Sequence, residues 1–100
     1  MNLDAFVNSL RTDDPPDGLK RALLALWHEA RGNWNVAHEI AQEDENTAGA
    51  WVHAYLHRKE GDASNAAYWY RRAKRPFPDM MLKDEWLSIV EELLRDEVSR

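Results

Sequence analysis

The chain has 100 residues, 44% of them hydrophobic, and a formal net charge of −5; this fits one small domain and argues against nucleic acid or an anionic membrane surface as a partner. The absence of cysteine excludes disulfides, thiolate metal sites and cysteine nucleophiles. No stretch approaches the ~20 apolar residues of a membrane span, and the N-terminus lacks the basic start and long apolar run of a signal peptide, so we expect a cytoplasmic protein.

The N-terminal segment predicts a short amphipathic helix followed by a break. Apolar residues recur from Leu3 to Leu10 at the i, i+3, i+4, i+7 spacing of one helix face, which places a helix within residues 1–11. Two prolines and a glycine in residues 12–18 cannot continue it, so these residues form a linker. Asp17 is a candidate N-cap for the helix that follows.

Two helical hairpins are predicted at the centre of the chain, in residues 19–44 and 47–75. Gly32 and Gly61 each suit the left-handed position that ends the first helix of a hairpin. The neighbouring residues repeat at an offset of 29: Ala25, His28, Gly32, Asn33 and Ala37 correspond to Ala54, His57, Gly61, Asp62 and Ala66. A fixed period of this size is typical of stacked helical hairpins, each too small to bury its apolar face alone.

Helix boundaries follow from the same signals. One helix should run from about Trp34 to Glu43 and the next from a Thr47 cap to about Glu60. The inner face of the first should consist of Val36, Ala37, Ile40 and Ala41. After a break at Pro76 and Pro78, residues 79–98 predict a C-terminal amphipathic helix. No strand-like alternation is present, so we expect an all-α bundle of about six helices in a single domain, residues 1–100.

The second hairpin resembles a tetratricopeptide or Sel1-like repeat. The matching residues are Gly61-Asp62, Ala66, Tyr70 and Ala73, followed by Pro78, with Ala54 where that family has a small residue for close helix contact. The first hairpin matches less well, and the offset of 29 is shorter than the usual repeat of about 34 residues. Residues 53–62 and 65–73 are also similar to a group of small bacterial proteins with no assigned activity. The repeat resemblance covers residues 19–78 and implies a scaffold for binding peptides or proteins.

Three consecutive aromatic residues, Tyr68, Trp69 and Tyr70, span about 200° of a helix surface, which is wider than the ~100° stripe that faces a core. Tyr70 continues a stripe of alanines and should point inward. Tyr68 and Trp69 should then lie on the shoulders of the helix. Either the terminal helices cover both shoulders, or at least one ring faces a groove or a partner.

Residues 51–75 carry six basic and two acidic side chains between acidic flanks. Cations in the last turn of a helix interact favourably with its dipole and its free carbonyl groups. The basic segment could also hold the acidic ends of the same chain. A third alternative is an anion or acidic peptide bound by Arg58, Arg71 and Arg72.

His53 and His57 lie four residues apart on one predicted helix, so both imidazoles project from the same side, with Glu60 in the same arc. This is the spacing of a two-histidine metal pair, and these three residues are the metal candidates. The sequence offers no convincing third ligand, and His28 repeats the position of His57. We therefore interpret the histidines first as packing residues.

The leading hypothesis is a non-enzymatic module that binds a protein, a peptide or a second copy of itself, with no cofactor and no catalytic residue. Its expected binding residues are Trp51, Tyr55, Arg58, Tyr68, Trp69, Arg71 and Arg72. No phosphate-binding loop, activated serine or inward carboxylate pair supports an enzyme. The alternative is a helical protein that binds a small ligand or a metal through His53, His57 and Glu60. An enzymatic activity at that site is one form of this alternative.

Overall fold

The computed structural model describes the backbone of residues 1–98 and the side chains of residues 1–96, so the last two residues of the predicted domain lie outside the described residues. The described chain is all-α with six helices and no strand, as predicted. The helices are α1 (Leu3–Ser9), α2 (Arg21–Ala30), α3 (Trp34–Glu43), α4 (Thr47–Glu60), α5 (Ala63–Arg72) and α6 (Leu82–Val98). None of the helices in residues 1–98 is both long and apolar enough to cross a membrane.

The four central helices pack in chain order, α2 against α3, α3 against α4 and α4 against α5. The α2–α3 and α4–α5 turns share one geometry. Gly32 and Gly61 are left-handed, with φ of 88° and 92°. The amide of the following residue donates 2.9 Å back into the preceding helix, from Asn33 to the His28 carbonyl and from Asp62 to the His57 carbonyl. The sequence echo at offset 29 therefore corresponds to a repeated turn.

Two of the predicted caps are wrong. Asn46, not Thr47, caps α4, because its Oδ1 accepts the Gly49 amide at 2.9 Å while Thr47 is already helical. Asp17 caps nothing, because the chain turns after it and runs extended through Lys20, whose side chain makes no capping bond at the start of α2. Sequence reasoning placed both helix starts within a few residues but assigned the capping side chain to a neighbour.

The predicted inner face of α3 is confirmed except at one residue. Ala37 and Ala41 are 0% and 1% exposed, whereas Val36, which was also predicted to face inward, is 42% exposed. Trp34 and Ile40 are partly buried against the core, so the inner face of α3 is rotated away from Val36. His38, directly after Ala37, is thereby brought against α4, where its ring contacts that of His53.

The two terminal helices, α1 and α6, complete the hydrophobic core. α6 packs against α1, α2 and α4. The fully buried ring of Phe6 in α1 lies 6.0 Å from the ring of Trp86 in α6. The indole of Trp86 donates to the Leu26 carbonyl at 3.3 Å. The indole of Trp27 donates to Ser9 Oγ at 3.1 Å, so both buried tryptophans have their N–H groups satisfied.

Candidate functional site

The predicted binding residues divide into a buried set and an exposed set. Trp51 is 7% exposed and lies under the guanidinium of Arg75, whose central carbon is 3.6 Å from the ring centroid. Tyr55 is 3% exposed, and its burial, together with the Glu29 and Glu85 carboxylates, raises the pKa of its phenol well above the ordinary value. These two rings belong to the interior of the chain.

Arg58 is also engaged inside the protein. Its Nη1 lies 2.8 Å from Oε1 of Glu85, a carboxylate on α6 that is only 3% exposed. The other oxygen of Glu85 accepts the hydroxyl of Tyr70, which is 1% exposed and points inward as predicted. The residues therefore form a buried network that joins α4, α5 and α6.

The remaining cations of the basic segment follow two patterns. Lys59 pairs with the buried Glu29, and Arg75 pairs with Glu92. With Arg58, three of the six basic side chains thus hold acidic groups of the same chain. The other three, Arg71, Arg72 and Lys74, are exposed, and no carboxylate of the described residues forms an ion pair with them.

These three cations lie beside the two shoulder aromatics of α5. Tyr68 is 44% exposed and meets the half-buried Trp69 edge-on, with ring centroids 5.2 Å apart. The guanidinium of Arg72 is 5.3 Å from the Trp69 ring centroid, and its Nη1 donates to the Tyr68 hydroxyl at 3.1 Å. We call Tyr68, Trp69, Arg71, Arg72 and Lys74 the α5 face.

A histidine cluster lies behind the α5 face. The rings of His38, His53 and His57 have centroid separations of 4.6 Å (His38–His53), 4.8 Å (His53–His57) and 5.2 Å (His38–His57). One ring nitrogen from each residue lies within 4.8 Å of the other two. The sequence predicted the His53–His57 pair, and the structure adds His38 from α3.

Tryptophan rings pack against two members of the histidine cluster. The indole of Trp69 stacks on His53 at a centroid distance of 3.9 Å, and that of Trp34 stacks on His38 at 5.0 Å. Trp34 is itself fixed, because its Nε1 donates to the Leu56 carbonyl at 3.0 Å. Two of the three imidazoles therefore have their ring planes set by a neighbouring indole.

The third predicted metal candidate, Glu60, contacts the cluster through His57. Its Oε1 lies 2.6 Å from Nδ1 of His57, and Nδ2 of Asn65 lies 3.3 Å from Nε2 of the same ring. Glu60 and Asp62 also form a second group with His57 that could hold a metal. However, Asp62 already accepts the Asn65 amide at the start of α5, at 3.2 Å.

Burial favours the neutral form of two imidazoles in the cluster, those of His38 and His53. Desolvation, followed by the proximity of His38 and His57, lowers the pKa of His53 to about 4. Desolvation and His57 likewise lower the pKa of His38. At neutral pH these two imidazoles are therefore uncharged, and their unprotonated nitrogens have lone pairs free to accept a proton, a hydrogen bond or a metal ion.

A groove of about 510 Å³ opens beside the cluster, between the α3–α4 connection and α5. His53, Trp69 and Arg72 line it from one side, and Asn46 and Thr47 line it from the other. The groove thus connects Arg72 of the α5 face with His53 of the histidine cluster, and two acidic residues, Asp44 and Glu45, also line it.

Sequence reasoning missed His38 because it falls outside the repeat. Its counterpart at the offset of 29 is Ala67, so the echo that paired His28 with His57 gave no reason to examine it. One signal was present. Trp34 and His38 are four residues apart, so an aromatic ring and an imidazole share one face of α3.

Comparison of the chain with protein-family models, with curated proteins and with solved structures finds no match in any of the three.

Proposed function

We propose that this protein is a non-enzymatic binding module whose α5 face takes up an acidic segment of a partner protein. The observation that carries the proposal is that three exposed cations, without acidic partners among the described residues, lie beside the exposed ring of Tyr68 and the half-buried ring of Trp69. A chain with a net charge of −5 that leaves a local charge of +3 on one helix end offers charge complementarity to an acidic partner.

The aromatic pair favours a peptide over a simple anion. Tyr and Trp are enriched among residues that carry binding energy, because each offers a large rigid surface with a polar edge. The Arg72 guanidinium lies near both rings, so cation and aromatic groups are held together before a partner arrives. A segment with Asp or Glu next to an apolar side chain would use both parts of the α5 face.

We also infer that α2–α3 and α4–α5 are two hairpin repeats of the tetratricopeptide type. The repeated glycine turn and the packing of α3 on α4 support this inference. In such a scaffold each hairpin presents side chains on an outer surface while its small residues hold the helices close. The α5 face would then be the outer surface of the second repeat.

The experiment is fluorescence anisotropy with two labelled short peptides, one alternating Glu and Phe and one alternating Lys and Phe. We expect the acidic peptide to bind and the basic one to fail, with affinity falling as salt is raised. The double variant R71E/R72E should weaken acidic-peptide binding by about tenfold or more, equivalent to about 1.4 kcal/mol. The matched control, K20E/K83E, makes the same change in net charge with exposed lysines outside α5.

Equal affinity for both peptides, or equal losses in the two double variants, would contradict the proposal. Sedimentation equilibrium of the protein alone tests the competing occupant, a second copy of the chain. If the protein forms a dimer and R71E/R72E abolishes it, then the occupant of the α5 face is an acidic segment of another copy and not a different protein.

A further inference from the structure

We infer that His38, His53 and His57 form a binding site for one divalent transition-metal ion, with Zn²⁺ as the best-matched ion and a fourth position open to water or a small anion. The site goes beyond peptide binding, since it lies behind the α5 face and uses none of its cations. Three protein ligands with one free position are the arrangement of zinc sites that bind an exogenous ligand.

The separations of the three rings suit tetrahedral coordination. Zn–N bonds of 2.0–2.1 Å place the ligand nitrogens of a tetrahedral site about 3.3 Å apart. In this chain one nitrogen of each ring lies within 4.8 Å of the others. The centroid separations of 4.6 to 5.2 Å leave room for an ion between the rings. Small side-chain rotations close the remaining gap, with no movement of α3 relative to α4.

The nitrogens needed for coordination are available. Among the described residues, no hydrogen bond engages a ring nitrogen of His38 or His53. Among the described residues, the buried side-chain nitrogen without a partner is Nδ1 of His28, which lies outside the cluster. The unpaired nitrogens of His38 and His53 therefore keep some contact with solvent, from which an ion can reach them. Within the part of the chain that the structure describes, the one group that competes for the lone pair on Nε2 of His57 is the Asn65 amide, at a long 3.3 Å.

Glu60 acts as a positioning residue for this site. Its carboxylate at 2.6 Å accepts the Nδ1 proton of His57, which leaves the lone pair on Nε2. A carboxylate on the far nitrogen of a histidine ligand fixes the tautomer and raises the basicity of the coordinating nitrogen. Glu60, which the sequence suggested as a metal ligand, therefore holds the ligand His57 in place instead. His38 supplies the third imidazole.

The chemistry of the donors selects the class of ion. Three imidazole nitrogens without a thiolate or a direct carboxylate suit Zn²⁺, Co²⁺, Ni²⁺ and Cu²⁺, while Ca²⁺ and Mg²⁺ require oxygen ligands. The stacked indoles of Trp34 and Trp69 hold two of the rings in place, so little ordering is needed when the ion binds. The adjoining groove reaches His53 and gives the fourth position access to solvent.

The test is competition of the chelator-stripped protein with a chromophoric zinc indicator at neutral pH. We expect one Zn²⁺ per chain with a dissociation constant below about 1 μM. His38→Ala should weaken binding by about 100-fold or more, and Glu60→Gln by about 10- to 100-fold. Bound Co²⁺ should show the intense visible bands of four-coordinate geometry, and these bands should change when a small anion such as azide is added.

Matched variants separate a metal site from a packed histidine cluster. His28→Asn removes a histidine outside the cluster, and Glu91→Gln removes a surface carboxylate on α6, so both should keep wild-type affinity. His38 is partly exposed and Glu60 lies at the surface, so their variants should fold, as circular dichroism would verify. A dissociation constant above about 1 μM, or one within about threefold of wild type in His38→Ala, overturns the inference.

Discussion

Nδ1 of His57 lies 2.6 Å from Oε1 of Glu60, three residues further along α4. An ionised carboxylate can only accept a hydrogen bond, so the ring must donate from Nδ1. Nε2 then keeps its lone pair and lies 3.3 Å from the Asn65 amide nitrogen. Two residues close in sequence thus decide which nitrogen of His57 carries the proton and which keeps a lone pair.

We therefore predict that metal-free His57 is the Nδ1–H tautomer, seen in long-range ¹⁵N–¹H correlation spectra as an Nε2 nitrogen without a proton. Glu60→Gln should mix the two tautomers, because an amide can donate as well as accept, and should cost about 1 kcal/mol of stability. Glu91→Gln is the control and should leave the His57 signals in place. An Nε2–H tautomer in the wild type would contradict the assignment.

A second prediction concerns pH. Burial and the neighbouring His38 and His57 lower the pKa of His53 to about 4 in the folded state, against about 6.5 for a histidine in the unfolded chain. As pH falls through 6.5, His53 becomes protonated in the unfolded chain, whereas in the folded protein it stays neutral until about pH 4. The stability from this group is therefore complete above pH 6.5 and is progressively lost between pH 6.5 and 4, by about 3 kcal/mol.

The measurement is urea unfolding across this range in the presence of a chelator, for the wild type and for His53→Asn. The groups facing His53 are His38 from α3, His57 from α4 and the uncharged ring of Trp69 from α5. The variant should lose most of the pH dependence between 6.5 and 4 that the wild type shows. His28→Asn should retain it. Parallel curves for the wild type and His53→Asn would remove His53 as the cause.

The sequence predicted the local structure well, because local signals determine it. The bounds of α3 and α4 agree with the residues at which turn and cap signals occur, and Tyr70 points inward as its helical position requires. Ala37 and Ala41 are buried as predicted, whereas the inward placement predicted for Val36 was wrong. Helical periodicity shows which residues share a face, but the edge of that face that meets a neighbouring helix depends on how the two helices pack.

The site was predicted only in part, because its contacts join distant segments. Arg58 and Lys59 were placed in the basic segment, yet their partners Glu85 and Glu29 lie 27 and 30 residues away along the chain. Likewise His38 meets His53 only because α3 folds back on α4. The i, i+4 spacing of His53 and His57 is visible in one helix, whereas a third ligand from another helix requires the tertiary fold.

The buried network of Glu85 gives a third prediction. Glu85→Ala should destabilise the protein by about 3 kcal/mol. The Arg58 side chain is only 18% exposed, and the substitution removes the carboxylate 2.8 Å from its guanidinium. Tyr70→Phe removes only the hydrogen bond from the Tyr70 hydroxyl and should cost about 1.5 kcal/mol. Chemical denaturation measures both, and Glu91→Gln serves as a surface control. A larger loss for Tyr70→Phe than for Glu85→Ala would contradict this order.

The end of α5 gives the last prediction. Lys74 has a φ of 62°, and its turn repeats the bonds seen at Gly32 and Gly61, with the Arg75 amide donating to the Tyr70 carbonyl at 2.9 Å. A side chain in this left-handed position is strained by about 1 kcal/mol or more. Lys74→Gly should therefore raise the free energy of unfolding by about 0.5–1 kcal/mol. This is less than the full strain, because glycine also raises the conformational entropy of the unfolded chain.

The reverse change, Gly61→Ala, should lower the free energy of unfolding by about 1 kcal/mol through backbone conformation alone, because a Cβ there meets no atom within 4 Å. Urea denaturation of both variants tests the pair, and a destabilised Lys74→Gly would mean that the lysine side chain contributes more than its backbone strain costs.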